Sequence, residues 1–413
     1  MSFQQGLSGL NASSKALDVI SNNIANANTV GFKSAEVHFS DVYAASLGGG
    51  GASQVGIGAA MSAIQQQFSQ GNITTSNNPL DVSINGGGFY RMASAGGDVT
   101  FSRAGQFHLD NVGNIINDQS LRLTGVLAVN GVVPPAGDPV SLKISPAPIP
   151  PRSSDDAASG DMTGVVNLDS RQGVPALGPF DFANPQTYNF STALSVFDSL
   201  GVAHSMTMYF ERTAAGGPWD MHMTLDNAQV QTSVASLAFD TSGALTTAMP
   251  IAIPANWVLT TGAASPWSPG NIDFTGSTQF GSESSVGGLT QGGYATGALT
   301  GVSVGSNGVI QGNYTNGQSR DLAQIVLATF ANPNGLKSLG NNQWSSSPDS
   351  GDALIGTPGA GSRGVLQAAA VEESNVDLTA ELVRMITQQR NYQSNAQSIK
   401  TQDQILQTLV NLR

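Results

Sequence analysis

The sequence predicts a multidomain, mainly β chain with a terminal α-helical coiled coil. Its nested, discontinuous domains run helix–linker–β–β insert–β–linker–helix. Three observations predict this. Both ends carry seven-residue apolar repeats. The middle carries short alternating runs punctuated by Asp-x-x-Gly turns. A Pro-rich stretch at 145–156 and a Gly/Ser-rich stretch at 280–293 bracket a segment with its own charge and tryptophans.

The last forty residues, 374–413, contain no Gly and no Pro. Ser374 and Asp377 have capping-box spacing at the helix start. Leu378, Met385, Tyr392, Ile399 and Leu406 then recur every seven residues, with a mixed stripe of Leu382, Gln389, Ala396, Asp403 and Val410 beside them. A straight helix of this kind is roughly 54 Å long and needs a partner to cover its stripe. Residues 2–24 repeat the pattern: Phe3, Leu10, Leu17 and Ile24 fall seven apart, with Leu7, Ser14 and Ser21 on the mixed stripe. Ser2 and Gln5 have capping-box spacing, while Gly6 and Gly9 weaken the first turns by roughly 1 kcal/mol each. An amphipathic helix on a globular core reads the same way in isolation. Matching repeats at both ends favour pairing of the termini.

After the Asn-rich end of the first helix, the four glycines at 48–51 read as a flexible break. No Lys-Ser or Lys-Thr follows them, so they are not a P-loop. Short strands occupy 72–143, with hairpin signals at Asp110–Gly113, Asp198–Gly201 and Asp240–Gly243 and a variant at 305–308. Their carboxylates are too sparse for calcium loops. The segment 141–290 holds twelve acidic and four basic residues, a net −8 of the chain's −12, and three of the four tryptophans. The expected domains are therefore a terminal helical module (1–30 with 368–413), an extended linker (31–71), a discontinuous β domain (72–144 with 287–365) and an inserted β domain (145–286).

Composition excludes several function classes. The chain has 413 residues and no cysteine, so it has neither a disulfide framework nor a thiolate site. A net charge of −12 argues against nucleic acid. Charged residues are only 11%, which suits an extracellular protein or a subunit covered by neighbours. No apolar run approaches the ~18–20 residues of a membrane span, so no membrane insertion is expected. The N-terminus lacks a cleavable signal peptide, and export would need another route. His38, His108, His204 and His222 share no metal or catalytic spacing, and no GxSxG is present. No enzyme activity, catalytic residue, cofactor or metal is expected. A carbohydrate-active or glycan-binding β protein stays open, because two carboxylates brought together by a fold suffice for glycoside hydrolysis.

The stretch 16–33 closely resembles the signature of the flagellar rod and hook axial proteins. The matching residues are Leu17, Asp18, Ser21, Asn22, Asn23, Ile24, Ala25, Asn26, Thr29, Gly31, Phe32 and Lys33. Residues 373–413 resemble the family's C-terminal signature, and 78–92 and 101–116 its shared β domain. The large insert sets the chain with the hook members, since the short rod proteins lack it; a distal-rod role is the alternative within the family. The resemblance implies a helical homopolymer, a curved universal joint between rod and filament, and export through the flagellar type III apparatus. It also implies a hook cap protein, a distal rod protein and a hook–filament junction protein as partners. The assembly interface expected from the repeats pairs Phe3, Leu7, Leu10, Leu17 and Ile24 with Leu378, Leu382, Met385, Tyr392, Ile399 and Leu406.

Overall fold

Two α-helices stand at the ends of the described chain, α1 (Ser2–Ala25) and α2 (Leu378–Asn411), and between them the elements are strands, turns and short 3-10 turns. The structure, a computed structural model, describes residues 2–42, 56, 58–135 and 137–411. The glycine run at 48–51 and the side chain of Val410 lie outside the described residues. Helix α2 starts three residues later than the Ser374 spacing predicts. Its cap is Asp377, whose Oδ1 accepts from the amides of Thr379 (2.9 Å) and Ala380 (3.1 Å), two of the amides a helix start leaves unpaired. Ser374 Oγ accepts only from Val376 N.

The chain divides into two compact units: 1–146 with 301–313 and 319–413, and 147–300 with 314–318. In the first, the segment expected as an extended linker contains an antiparallel hairpin, β1 (Ala35–Val42) with β2 (Gly58–Gln66). Ala35, Val37 and Phe39 alternate with Glu36, His38 and Ser40, the period of a strand. The outgoing strands β3 (Ile73–Thr75) and β4 (Val82–Asn85) pair antiparallel with the returning segments Ala370–Glu372 and Val365–Ala368. Outward and homeward chains thus form one two-strand neck.

Beyond the neck, antiparallel strands pair in the order Ser319–Ile325, Arg122–Leu127, Phe89–Ala93, Val99–Ser102, Gln343–Ser345 and Lys337–Gly340. Phe89, Phe101, Phe330 and Trp344 pack beneath them, with Phe68 edge-on to Phe89 and Trp344. The Asp-x-x-Gly segments are tight turns. At the first, Asp110 Oδ1 accepts from Val112 N and Asn114 N, both at 2.8 Å, and Gly113 takes φ +91°. The Asn114 side-chain amide, with these backbone amides, holds the Asp110 carboxyl below its usual range.

The second unit has two four-stranded sheets. One runs Ile251–Ala252, Asn271–Asp273, Met162–Asn167, Ser285–Thr290; the other runs Phe190–Phe197, Ala203–Arg212, Trp219–Leu225, Gln229–Leu237. A shared core contains Met206, Met208, Phe210, Trp219, Met221, Met223 and Phe274, all without exposure. On the other face of the second sheet, Phe180 stacks on His222 with ring centroids 4.1 Å apart. His222 Nδ1 accepts from Ser233 N (3.0 Å), so its proton sits on Nε2 and is donated to Glu211 (3.0 Å). Burial lowers the His222 pKa, and Glu211 and Asp220 only partly offset it.

A lowered folded pKa means the unfolded chain binds the proton more readily. The stability due to neutral His222 is full above the unfolded value of ~6.5 and lost as pH falls through the folded one. Thermal unfolding of the full chain should therefore show the second unit losing stability as pH drops below ~6.5. His222→Gln should flatten that dependence; an unchanged profile in the variant would assign it to another group.

Candidate assembly site

Helices α1 and α2 pack antiparallel, with Gly6 against Ile399 and Gly9 against Asn395. A Cβ placed on Gly6 would lie 2.9 Å from Ile399 Cγ1, and one on Gly9 would lie 2.7 Å from Asn395 Nδ2. Gly6, Gly9, Ser13 and Ala16 follow the i, i+3, i+7, i+10 spacing of one helix face, and Gly6, Ser13 and Ala16 are buried. The close approach is thus made by small residues. On α2 the less exposed positions are Glu381, Met385, Gln388, Asn395, Ala396, Ile399 and Gln402. The stripe 381, 388, 395, 402 is polar throughout.

Within the single chain, the residues of the expected interface lie only partly in this contact. Phe3, Leu7, Leu378, Leu382, Tyr392 and Leu406 are exposed in the single chain; Leu10, Leu17, Ile24, Met385 and Ile399 are half-buried. The large apolar residues give the repeat its sequence signal. Glycine and serine give none, yet only they let the helix backbones approach so closely. The apolar stripes are turned partly or wholly away from the intrachain contact.

A buried charge cluster ties the helix ends to the neck. Lys33 Nζ donates to Glu372 Oε1 (2.7 Å) and to the carbonyl of Ser69 (2.7 Å), and both charged side chains are fully buried. Gly71 N donates to the same carboxylate oxygen, and Arg103 Nε lies 3.4 Å from Oε2. The Arg103 guanidinium also donates to the carbonyls of Gly86 and Gly88. Burial first, then Arg103, pulls the Lys33 pKa down against the upward pull of Glu372. Asn375 completes the junction: its Oδ1 accepts from Ser34 N (2.8 Å) and its Nδ2 donates to Gln67 O (2.7 Å).

The signature residues gather around this junction. Leu17 and Ile24 are half-buried, Asp18 pairs with Lys15 at the surface, and Ser21 and Ala25 are exposed. Asn26 Nδ2 bonds the Asn22 carbonyl and Thr29 Oγ1 bonds Asn26 Oδ1, which closes the helix end. Buried Asn23 brackets Ala35, donating to its carbonyl (2.9 Å) and accepting from its amide (3.0 Å). Gly31, at φ +69°, donates to the Glu372 carbonyl, and a Cβ there would meet Ala104 N at 2.6 Å. Phe32 is half-buried and Lys33 enters the charge cluster. Sequence reading missed Glu372, Arg103 and Asn375 as partners.

Among the described residues no group of His, Cys, Asp or Glu is placed to hold a metal, and no helix is long and apolar enough to cross a membrane. His204 lies between Asp226 (2.7 Å) and Asp198 (3.4 Å), a network the sequence spacing did not reveal.

Four family profiles match the chain: "Flagella basal body rod protein" at 3–33, "Flagellar hook protein FlgE/F/G D1 domain" at 83–148, "Flagellar basal body protein FlaE D2 domain" at 167–294, and "Flagellar basal body rod FlgEFG protein C-terminal" at 367–412. The chain is 40% identical to the flagellar hook protein FlgE of Escherichia coli and 41% identical to that of Salmonella typhimurium, over all of each chain. It is 32% identical to the FlgE of Treponema pallidum, over all of this chain and 99% of the other. The crystal structure of Helicobacter pylori flagellar hook protein FlgE2 aligns with a TM-score of 0.50 at 11% identity, covering 72% of this chain and all of that one, a likeness of fold.

The charge cluster yields an asymmetric prediction. Glu372→Gln leaves two buried cations without their carboxylate and should cost about 3–5 kcal/mol in urea unfolding of the monomer. Lys33→Met leaves Glu372 beside Arg103 and should cost less. The double variant should fall well short of the sum. Additive losses would show that Lys33 and Glu372 are energetically independent.

Proposed function

The chain belongs to the flagellar hook protein family and is a structural subunit of the hook; from that premise we propose how its ends build the polymer. Helices α1 and α2, with those of neighbouring copies, form the inner wall of a curved tube that serves as a universal joint between rod and filament. The observation that carries this is the uncovered apolar face of the helix pair. Leu382 is 49% and Ile386 52% exposed, and Phe3, Leu7, Val383 and Leu406 are exposed beside them. Such a face on a charge-poor chain fits burial by copies of itself. Phe3, Leu7, Leu10, Leu17 and Ile24 would then meet Leu378, Leu382, Met385, Tyr392, Ile399 and Leu406 within and between subunits.

The intrachain contact is built on glycines and polar side chains, so it stabilises the pair weakly. Assembly supplies the missing apolar burial, at about 25 cal/mol per Å2 covered. The neck and its charge cluster keep the two helices in one register while neighbours bind. The acidic segment 145–286 faces solvent, where polar contacts re-form as the tube bends. Export runs through the flagellar type III apparatus, growth occurs under a hook cap protein, and the ends join a distal rod protein and a hook–filament junction protein.

Two experiments test this reading. Leu382→Asp with Ile386→Asp should leave the monomer's unfolding temperature nearly unchanged, because both sites are exposed, and should abolish pelletable polymer. Normal tubes from this variant would remove the face from the interface. Deleting 145–286 should leave polymers of altered curvature in electron micrographs; complete loss of assembly would contradict the separation of roles.

A further inference from the structure

Between α1, α2 and β1 lies a groove of about 270 Å3, walled by Val19, Ile20, Val37, Phe39 and Val383. Glu381 also lines it, with a side chain only 6% exposed. Its Oε1 receives Arg384 Nη1 at 3.2 Å, whereas its Oε2 is buried and has no hydrogen-bond partner. A buried carboxylate oxygen left unpaired is costly, and a charged donor would recover that cost. The groove therefore combines apolar wall residues and one unmet acceptor, with Glu36, Arg384, Thr387 and Gln388 also lining it.

The described helices carry four cations. Lys15 pairs with Asp18 and Arg384 with Glu381, which leaves Arg390 and Lys400 outside the ion pairs. Arg390 follows exposed Ile386 by one helical turn (i, i+4), so its cation is presented beside apolar surface. Lys400 has the small, half-buried Ala396 at the corresponding position (i−4). Only the Arg390 stripe matches the chemistry of the groove.

We propose that this groove is an intersubunit socket: Arg390 and Ile386 of a second copy enter it, and Arg390 donates to the free Oε2 of Glu381. The contact rests on the polymer reading above and deepens it. Socket and plug are different surfaces of one chain, so the contact is heterologous and propagates openly rather than closing into a dimer. An open, repeating contact is what a helical polymer needs.

The absence of native cysteine allows a direct test. Full-length Ile20→Cys and Arg390→Cys proteins, mixed, copolymerised and treated with a short bismaleimide, should give a cross-linked heterodimer of the two variants. Normal polymer without that product overturns the socket. In parallel, Arg390→Glu should raise the critical concentration for polymerisation at least about tenfold. Glu381→Lys combined with Arg390→Glu should bring it back towards the wild-type value. An Arg390→Glu protein that polymerises at the wild-type concentration overturns the socket and leaves the hook reading standing. Failure of the wild-type chain to polymerise under every condition would instead overturn the reading on which the socket rests.

Discussion

The buried contact between Lys33 and Glu372 is the constraint on which the rest of the terminal architecture depends. These residues lie 339 positions apart, yet their side chains meet at 2.7 Å with no exposure to solvent. Everything between them leaves through β3 and β4 and comes back through the strands paired to them. Taking such a pair out of water is expensive, and the interior repays it only with further hydrogen bonds. Here Ser69 and Gly71 supply them, and Arg103 adds a second cation 3.4 Å from Oε2. A buried ion pair is a weak argument for stability but a good one for register, because a slip by one residue would strand a charge. That register decides which faces of α1 and α2 meet.

The helix pair itself is built to be incomplete. Gly6 and Gly9 allow close approach but each costs roughly 1 kcal/mol of helix propensity. Across from them the contact stripe is Glu381, Gln388, Asn395 and Gln402. A small-residue and largely polar contact specifies geometry without supplying much burial, while Phe3, Leu7, Leu382, Ile386 and Leu406 face outward. A free-standing helical hairpin would invert this arrangement. A subunit that belongs to a polymer can leave its apolar face for its neighbours, at the risk that isolated chains associate wrongly.

The large features were legible in the sequence because they have periodic signals. Seven-residue repeats marked both helices, and Asp-x-x-Gly segments marked turns whose carboxylates do cap the following amides. The signature residues pointed to the right stretch of chain. What was not legible lacks a period. Small residues at the helix contact carry no hydrophobic signal, whereas the repeat is marked by Leu378, Leu382 and Leu406, which are exposed in the single chain. The hairpin β1–β2 carries an alternating pattern at 35–40, but the Gly-rich break between its strands obscures their pairing. Glu372, the counter-ion of Lys33, lies 339 residues away, and nothing local identifies it. The His222 and His204 networks fail for the same reason: their carboxylates come from neighbouring strands and turns.

The central claim is that the terminal helices are assembly elements whose outer faces are completed by other copies. Backbone hydrogen exchange along α2, compared between dilute monomer and sedimented polymer, tests it most directly. Rapid exchange is expected in the monomer over the distal half of α2, beyond Asn395, and strong slowing there in the polymer, with the neck strands protected in both. Equal protection of α2 in monomer and polymer would contradict it.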